Sequence, residues 1–428
     1  MTNQSSAVMP PWPRHFDLRG TDRLLVVFSD IEMGAGGQFD DFPHSDFLGE
    51  IILSYDEPPF DEIAVDIVFN GDTFDLLKTS YLGQHPHHIN RDVALGKMAA
   101  VAAAHPRFFE SLRRFLSFGG APRNVHFVAG NHDAEILFPS VRKLIRTLCD
   151  ATDQITFPGF ELEIGKVHIE HGSQLDPLFR MEVEHPFVEH NGEELLNISW
   201  ATVALLDVAM PLLPLFYFHD RLKPKKVVLD LIPEAREVII GAFWRYWTRE
   251  YWRAWFRSSD PMMKISWTMI KELVRRFGSQ DPEVTVGEQF QRELQDSDKF
   301  DLYLLGHQHQ ARWWSHGSRK ILQTGCFRNE YMVLNGGHTL RPIPKTYAEA
   351  YLRGDEVYRS HLVELDGPQL PTGSIPESIF EIQPRLREIL AVSEERAAGA
   401  ATPPEIEPET ESGGNKLERK EAGATAGK

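Results

Sequence analysis

The sequence predicts a layered α/β sandwich. Apolar runs at residues 24–28, 67–69 and 125–128 have the length and the β-branched or aromatic content of buried strands. Segments with helix signals lie between them, and strands that alternate with helices are typical of sheets covered by helices. Each run leads into a short segment that contains Asp, Asn or His, so we expect several strands to end at one polar site.

The individual elements follow from local signals along the chain. Asn90 favours a helix start as a cap, Pro106 favours a second start, and Gly119-Gly120 favours a helix end. Residues 155–164 alternate between apolar and polar, which predicts a hairpin that leads into the strand at 167. We also predict strands at 23–29, 63–69, 321–324 and 357–365, helices at 90–101, 106–118, 141–148 and 378–390, and a short helix or strand at 47–54.

Five segments carry residues suited to metal chemistry. Each follows an apolar run and offers carboxylate, amide or imidazole groups, which are ligands of divalent ions. Asn and Asp beside Gly usually mark only a turn, but five such segments in order, each at a strand end, favour a functional site. They are Ser29-Asp30-Ile31-Glu32, Asn70-Gly71-Asp72-Thr73-Phe74-Asp75, Gly130-Asn131-His132-Asp133, Glu170-His171-Gly172 and Gly306-His307-Gln308-His309.

This ordered set resembles that of the calcineurin-like metallophosphoesterases, a family of binuclear-metal phosphohydrolases. The resemblance covers about residues 23–175 and 300–330. It implies a four-layer α/β/β/α sandwich and cleavage of a phosphoester or pyrophosphate bond by attack of a metal-bound hydroxide. Two divalent ions about 3.5–4 Å apart generate such a nucleophile at neutral pH and neutralise charge on the phosphoryl oxygens.

The resemblance also implies a ligand set for two ions, with the carboxylate of Asp72 as the bridge between them. The ligands of the first ion would be Asp30, Glu32, Asp72 and His309. The ligands of the second ion would be Asp72, Asn131, His171 and His307. Mixed nitrogen and oxygen ligation suits Mn²⁺, Fe or Zn²⁺ and, with more oxygen, Mg²⁺.

Glu32 departs from the family pattern, which usually has histidine at this position. A glutamate can still reach a metal, and its hard anionic oxygen favours Mn²⁺ or Mg²⁺ over Zn²⁺, so we predict Mn²⁺. The alternative is that Glu32 points away and leaves a one-metal or inactive centre.

Two further residues have catalytic roles by resemblance. His132 is similar to the residue that protonates the leaving oxygen, and Asp75 would orient its imidazole. General acids typically contribute about 10²–10⁴-fold. We expect Asp133 to support the loop. Arg328 is a candidate phosphate contact, with a surface arginine as the alternative.

Composition limits the class of protein. The chain has 428 residues, of which 42% are hydrophobic and 25% charged, as in soluble globular proteins. Its net charge of -17 argues against a surface that wraps nucleic acid, and an anionic substrate then requires local positive charge. Cys149 and Cys326 are the only cysteines, which fits a reducing compartment, and residues 1–13 do not resemble a secretory signal. We therefore predict a cytoplasmic protein, with peripheral membrane contact left open.

The segment between His171 and Gly306 is too long for a simple connection, so we predict an inserted helical subdomain. Within it, residues 198–218 are nearly all apolar and match the length of a membrane span. A single crossing would separate His171 from His307, which must reach the same site. The other candidate span, 238–256, contains three arginines that are costly in hydrocarbon.

The same insertion carries a helix rich in tryptophan and arginine. Its aromatic residues recur at spacings of three and four and its arginines at every fourth residue, which predicts two neighbouring helix faces. The candidate substrate contacts on it are Arg245, Trp247 and Arg249. Three interpretations stay open: a core helix, a membrane-surface or lipid-binding helix, and a helix that stacks on a nucleoside. The position of the insertion is similar to that of the helical lid in UDP-2,3-diacylglucosamine hydrolases.

Three functional hypotheses remain. The first is a metal-dependent phosphohydrolase acting on a small-molecule, nucleotide-linked or lipid-linked phosphate, such as a UDP-2,3-diacylglucosamine pyrophosphatase-like enzyme. The second is a non-catalytic ligand-binding protein on a degenerate fold, and the third is a membrane-surface adaptor. The predicted domain boundaries are a flexible arm at 1–22, core at 23–175, a helical lid at 176–297, core at 298–393 and a disordered tail at 394–428.

Overall fold

A computed structural model describes residues 18–151, 153–224, 230–252, 260–263, 295–375 and 380–400, together with residues 227, 269, 271, 272 and 275. Four predicted segments lie wholly or partly outside this set: residues 1–17 of the predicted arm, residues 253–259 of the predicted Trp/Arg helix, much of the later part of the predicted insertion, and the predicted tail from residue 401.

The described strands and α-helices are numbered here in chain order. The strands are β1 (Arg23–Phe28), β2 (Ala64–Asn70), β3 (Arg123–Val128), β4 (Ile155–Gly159), β5 (Glu161–Ile164), β6 (Val167–Glu170), β7 (Phe187–His190), β8 (Glu193–Leu196), β9 (Leu222–Lys223), β10 (Leu302–Leu305), β11 (Ala311–His316), β12 (Arg319–Thr324), β13 (Tyr331–Leu334), β14 (Thr339–Pro342), β15 (Lys345–Arg353), β16 (Glu356–Leu365) and β17 (Gly373–Ser374). The helices are α1 (Ser45–Ser54), α2 (Arg91–Ala104), α3 (Pro106–Leu116), α4 (Pro139–Leu148), α5 (Trp200–Ala204), α6 (Leu213–Phe216), α7 (Pro233–Arg245) and α8 (Gln383–Ala400).

The first sheet has the strand order β16-β15-β1-β2-β3-β4. Strands β1 to β4 are parallel, and the register pairs Phe28 with Phe69 and Phe69 with Phe127. The carboxyl ends of β1, β2 and β3 are therefore level, which brings the first three polar segments to one edge of the sheet. Helix α2 begins at the predicted cap, where Asn90 accepts hydrogen bonds from the backbone of Asp92 and Val93.

The second sheet has the order β11-β12-β10-β6-β5. Strands β6 and β10 are parallel neighbours, with Ile169 beside Leu304, so both deliver their histidines to one edge. The predicted hairpin at 155–164 is wrong, because β4 joins the first sheet and β5 pairs with β6 in the second. Gly159, the last residue of β4, has a φ of 97° and permits the change of sheet.

The two sheets face each other across an apolar interior. Residues of β1 to β3, such as Val27, Val68 and Val128, pack in the same cluster as Ile169 and Leu304 of the second sheet. Each fully buried aliphatic side chain of this kind contributes roughly 1.5–3 kcal/mol. Helices α1 to α4 pack on the outer face of the first sheet through a larger cluster. The described layers therefore run helix, sheet, sheet.

The segment 198–218 packs against two apolar clusters: Trp200 and Leu206 belong to the larger cluster with α1 to α4, and Leu215 belongs to a cluster with residues of β13 and β14. The apolar run 198–218 is not one continuous α-helix: it contains α5, a π-helical turn at Leu205–Ala209 and α6. Pro211 lies near the start of a 3-10 turn at Met210–Leu212, and Pro214 lies near the start of α6. No helix among the described residues is both long and apolar enough to cross a membrane.

A third sheet, β17-β14-β13-β9, shares a separate apolar cluster with α7 and α8. Helix α8 extends to Ala400, past residue 394, at which the tail is predicted to begin.

Candidate metal centre

The predicted ligands gather where the two sheets end, and several have unusual backbone conformations. Asp30, Glu32, Asp72, His307 and His309 have φ values of 53°, 52°, 51°, 72° and 53°, the left-handed region that non-glycine residues rarely adopt. Such residues each cost of order 1–3 kcal/mol and cluster at functional sites. The strand ends are therefore shaped to aim these side chains rather than to continue the sheets.

The first group of ligands contains Asp30, Glu32 and His309. His309 Nε2 lies 3.2 Å from Asp30 Oδ1 and 3.4 Å from Glu32 Oε1. The other ring nitrogen, Nδ1, lies 2.7 Å from Glu330 Oε1. A carboxylate behind a histidine fixes its tautomer and leaves the opposite nitrogen for a metal.

The second group contains Asp72, His171 and His307, whose ligand atoms lie within 4.8 Å of one another. His171 Nε2 is 3.0 Å from Asp72 Oδ2, while Nδ1 is 2.9 Å from the carbonyl oxygen of Asn70. His307 Nε2 is 3.3 Å from Asp176 Oδ2. Each histidine thus has a partner outside the group, and the Nε2 atom of His171 faces Asp72 within it.

Glycines in the motifs allow the backbone to lie unusually close to the ligand side chains. A Cβ atom at Gly130 would lie 2.1 Å from Asp72 Oδ1, and one at Gly71 would lie 2.4 Å from Cγ of His171. A Cβ atom at Gly306 would lie 1.8 Å from Ser29 Oγ. Only glycine allows the backbone to approach the ligands so closely.

The donor atoms fit a pair of divalent ions. Asp30 Oδ1, Glu32 Oε1, Asn131 Oδ1 and His171 Nε2 are buried, and although His171 and Asp30 have close neighbours, none of the four atoms has a partner with hydrogen-bond geometry among the described residues. Buried polar atoms without partners are costly and rare in folded proteins. All four belong to the predicted ligand set, and oxygen and imidazole nitrogen are the ligands that Mn²⁺, Zn²⁺ and Fe accept.

His132 lies beside the ligands and is held by Asp75. Its Nδ1 is 3.1 Å from Asp75 Oδ1, and its backbone N–H donates to Asp72 Oδ1 at 2.7 Å. Burial lowers the pKa of His132, but the carboxylates of Asp72, Glu32 and Asp75 outweigh it and raise the pKa to about 10. Asp133 accepts hydrogen bonds from the backbone of Gly130 and Thr73 and so supports the loop.

Arg328 is buried, and not at the surface as one of its two interpretations predicted. Its side chain is 4% exposed, and Nη1 lies 2.7 Å from Glu32 Oε2 and 3.0 Å from Asp220 Oδ2. Its Nη2 lies 2.8 Å from Glu330 Oε1. The surface interpretation is wrong, because the guanidinium neutralises carboxylates in the wall of the site.

Sequence reasoning missed Lys78 and the acidic residues around it. Its Nζ lies 3.1 Å from Glu32 Oε2, 3.2 Å from Asp75 Oδ2 and 3.1 Å from Asp220 Oδ2. Burial alone would raise the pKa of Glu32, but Arg328 and Lys78 hold it well below its usual range. The signal was the spacing of three between Asp75 and Lys78. Asp220 is distant in sequence and gave none.

The candidate substrate residues of the insertion lie at the end of α7 and in the turn that follows it. Arg245 and Arg249 are exposed, at the end of α7 and in the π-helical turn Tyr246–Tyr251. Trp247 is half-buried and stacks on Tyr251 with ring centroids 5.1 Å apart. None of the contacts described above for the metal centre involves these three residues.

Similarity to known proteins agrees with this geometry. The family model of the calcineurin-like phosphoesterases matches residues 25–311. No curated protein matches the chain.

Three solved structures illustrate the range of similar proteins. Vacuolar protein sorting 29 from Cryptosporidium parvum is 11% identical over 81% of this chain and 100% of its own, with a TM-score of 0.26. A dimetal phosphatase from Danio rerio is 10% identical over 81% of this chain and 100% of its own, with a TM-score of 0.31. A putative 5′-nucleotidase from Staphylococcus aureus is 12% identical over 86% of this chain and 58% of its own, with a TM-score of 0.29.

The matched span covers more than half of the chain and contains every predicted metal ligand as well as His132 and Asp75. The family fold predicted from the sequence is thereby confirmed. The chain belongs to the calcineurin-like phosphoesterases, a family of metal-dependent phosphoester hydrolases.

Proposed function

We propose that the protein hydrolyses a phosphoester or pyrophosphate bond with two divalent ions, Mn²⁺ being the favoured ion. The observation that supports this most is the set of buried ligand atoms without hydrogen-bond partners, Asp30 Oδ1, Glu32 Oε1, Asn131 Oδ1 and His171 Nε2. The first ion would be held by Asp30, Glu32, Asp72 and His309. The second would be held by Asp72, Asn131, His171 and His307. Such ions supply a nucleophile from water at neutral pH and neutralise phosphoryl charge.

His132 is the proposed general acid. Asp75 holds its Nδ1, which leaves Nε2 to carry the proton that the leaving oxygen needs. The raised pKa keeps the imidazole protonated at neutral pH, as a general acid requires, although cations bound to Asp72 would oppose that rise. Asp75 acts by positioning and by its charge, not by touching the substrate.

The substrate belongs to the small phosphate-containing compounds on which the family acts, and one observation favours a lipid-linked member. Ile240 and Trp244, one helical turn apart on α7, are 51% and 65% exposed, with Arg245 and Arg249 nearby. Exposed apolar and aromatic side chains beside arginines suit a lipid interface. A UDP-2,3-diacylglucosamine-like substrate and peripheral contact with the cytoplasmic membrane surface are the corresponding proposal.

A non-catalytic role on the same fold is the second candidate. Its support is the position of Glu32, whose Oε2 is bound by Arg328 and Lys78. If Oε1 of Glu32 does not bind the metal either, the first ion lacks one of its protein ligands. The protein would then bind a molecule or a membrane surface without catalysing a reaction.

Hydrolysis of bis-p-nitrophenyl phosphate by the full-length protein with Mn²⁺ tests the proposal. We expect metal-dependent turnover that Asp72→Asn abolishes and that His316→Gln, a change on the exposed strand β11, leaves intact. A protein that binds Mn²⁺ without turnover would favour the non-catalytic candidate. Incubation with nucleotides, UDP-2,3-diacylglucosamine and lipid phosphates, followed by mass spectrometry, then identifies the substrate class.

A further inference from the structure

A second cluster of potential metal ligands lies where the insertion meets the core. His87 and His88 belong to the loop before α2, and Asp260 belongs to the insertion. The ligand atoms of these three residues lie within 4.8 Å of one another. His88 Nε2 is 2.7 Å and His87 Nε2 is 3.8 Å from Asp260 Oδ2. The cluster shares no residue with the metal centre described above.

One further polar atom of His87 and one of Asp260 are already engaged. His87 Nδ1 lies 2.8 Å from Oδ1 of Asp207, in the π-helical turn of the insertion. Asp260 Oδ1 accepts a hydrogen bond from the backbone of Met262 at 2.9 Å. A carboxylate behind an imidazole is the usual second partner of a zinc-binding histidine, because it fixes the ring and the tautomer.

The loop that carries the histidines is held at both ends. Tyr81 and Gln84 form a short bridge, and the carbonyl oxygen of Ile89 accepts from the backbone N–H of Leu196 at 2.8 Å. Asn90 then caps α2. The spacing of His87 and His88 is therefore fixed by the fold, although the sequence alone offered no element to fix it.

We propose that His87, His88 and Asp260 bind a third ion, Zn²⁺ by the chemistry of two imidazoles and one carboxylate, with Asp207 as the partner behind His87. Zn–N and Zn–O bonds of about 2.0–2.2 Å place neighbouring ligand atoms somewhat more than 3 Å apart. This spacing lies between the two distances observed from Asp260 Oδ2, 2.7 Å to His88 Nε2 and 3.8 Å to His87 Nε2. Simple ion pairs are the alternative, but they would not require both histidines to converge on one oxygen. The ion would fasten the insertion to the core loop that also carries His85, whose Nε2 contacts the carbonyl oxygen of Lys78 at 2.9 Å.

Metal counting on the full-length protein tests this site. The protein is stripped with a chelator, saturated with Zn²⁺, freed of loose ions and measured by elemental analysis. We expect His88→Ala and Asp260→Asn each to lose about one ion per chain relative to the wild type, and His316→Gln to lose none. His132→Ala should keep the third ion, so the result does not depend on catalysis.

Asp207→Asn provides a milder variant in case the others fold poorly. It should keep the full number of ions at saturation but bind one of them roughly 10–100-fold more weakly, as changes behind a metal ligand do. Limited proteolysis gives an independent readout, because Zn²⁺ should protect the insertion in the wild type and not in His88→Ala. Equal ion counts in wild type, His88→Ala and Asp260→Asn, with unchanged affinities in Asp207→Asn, would overturn the proposal.

Discussion

Arg328 Nη1 lies 2.7 Å from Glu32 Oε2 inside the wall of the metal centre. Lys78 Nζ reaches the same oxygen at 3.1 Å, while Glu32 Oε1 has no hydrogen-bond partner among the described residues. Glu32 stands where the family usually has histidine and so adds a negative charge. Arg328 and Lys78 are buried and positively charged, and together they neutralise one carboxylate oxygen of Glu32. The other oxygen of Glu32 is therefore available to a metal ion.

Glu32→His should therefore change the preference of the site among metals. Replacing a hard oxygen by imidazole removes a ligand that favours Mn²⁺, so we expect the ratio of Zn²⁺ to Mn²⁺ affinity to rise by roughly tenfold or more. Competition titrations of the two ions measure this ratio. Glu32→Gln is the control, since it keeps an oxygen and should weaken both ions. An unchanged ratio in Glu32→His would mean that Glu32 is not a ligand.

Arg328→Met should destabilise the fold. The substitution leaves Glu32 and Glu330 buried with less compensation, and breaking a buried ion pair on one side typically costs about 3–5 kcal/mol. Urea denaturation of the metal-free protein measures the change in free energy of unfolding. Arg107→Met, which breaks an exposed pair with Glu110, should cost less than about 1 kcal/mol. Similar losses in both variants would contradict the assigned role of Arg328.

Gly130→Ala should impair metal binding. Its Cβ would lie 2.1 Å from Asp72 Oδ1, so the proposed bridging carboxylate must move. We expect at least one ion per chain to be lost in elemental analysis and the melting temperature to fall. Gly119→Ala is the matched control, because nothing lies within 4 Å of the added atom. Retention of both ions in Gly130→Ala would show that Asp72 does not need this clearance.

The sequence predicted the strands that lead into the polar segments because apolar runs are local patterns, whereas the family resemblance, and not the residues alone, implied the ligand set. The apolar runs before Asp30, Asp72 and Asn131 have strand composition, and the parallel register of β1 to β3 brings their ends to one edge of the sheet. Glycines at the strand ends added a second local signal.

What the sequence did not predict depends on contacts between distant residues. In the sequence, Arg328 cannot be distinguished from a surface arginine. Only the folded chain brings the carboxylates of Glu32, Asp220 and Glu330 around it. The change of sheet at Gly159 was hidden for a similar reason, since an alternating pattern does not say which sheet a strand joins. The loop of His87 and His88 is fixed by the insertion, which no local pattern shows.

His132→Ala should lower kcat by about 10²–10⁴-fold for esters with poor leaving groups, and less for p-nitrophenyl esters, whose leaving group needs no proton. A general acid is active when protonated, so wild-type kcat should fall as pH rises through the pKa of His132, and this alkaline limb should be absent in His132→Ala. Asp75→Asn removes a charge that raises that pKa, so the limb should shift to lower pH. A pH profile unchanged in both variants would exclude His132 as the acid.

Lys345→Met should change how stability depends on pH. Lys345 is fully buried, its Nζ is 2.7 Å from the carbonyl oxygen of Phe327 and 2.8 Å from Asn329 Oδ1, and burial lowers its pKa to about 7. An unfolded lysine has a pKa of about 10.4. Between these values the unfolded chain holds a proton that the folded chain lacks, so the free energy of unfolding should rise with pH by up to about 1.4 kcal/mol per unit. Methionine removes this contribution.

Urea denaturation at pH 7.5 and 9.5 (roughly within that window) measures the free energy of unfolding of each protein. The difference between the wild type and Lys345→Met should increase with pH in favour of the wild type. The difference between the wild type and the exposed control Lys299→Met should not change with pH. Parallel curves for wild type and Lys345→Met would show that Lys345 keeps its proton in the folded protein.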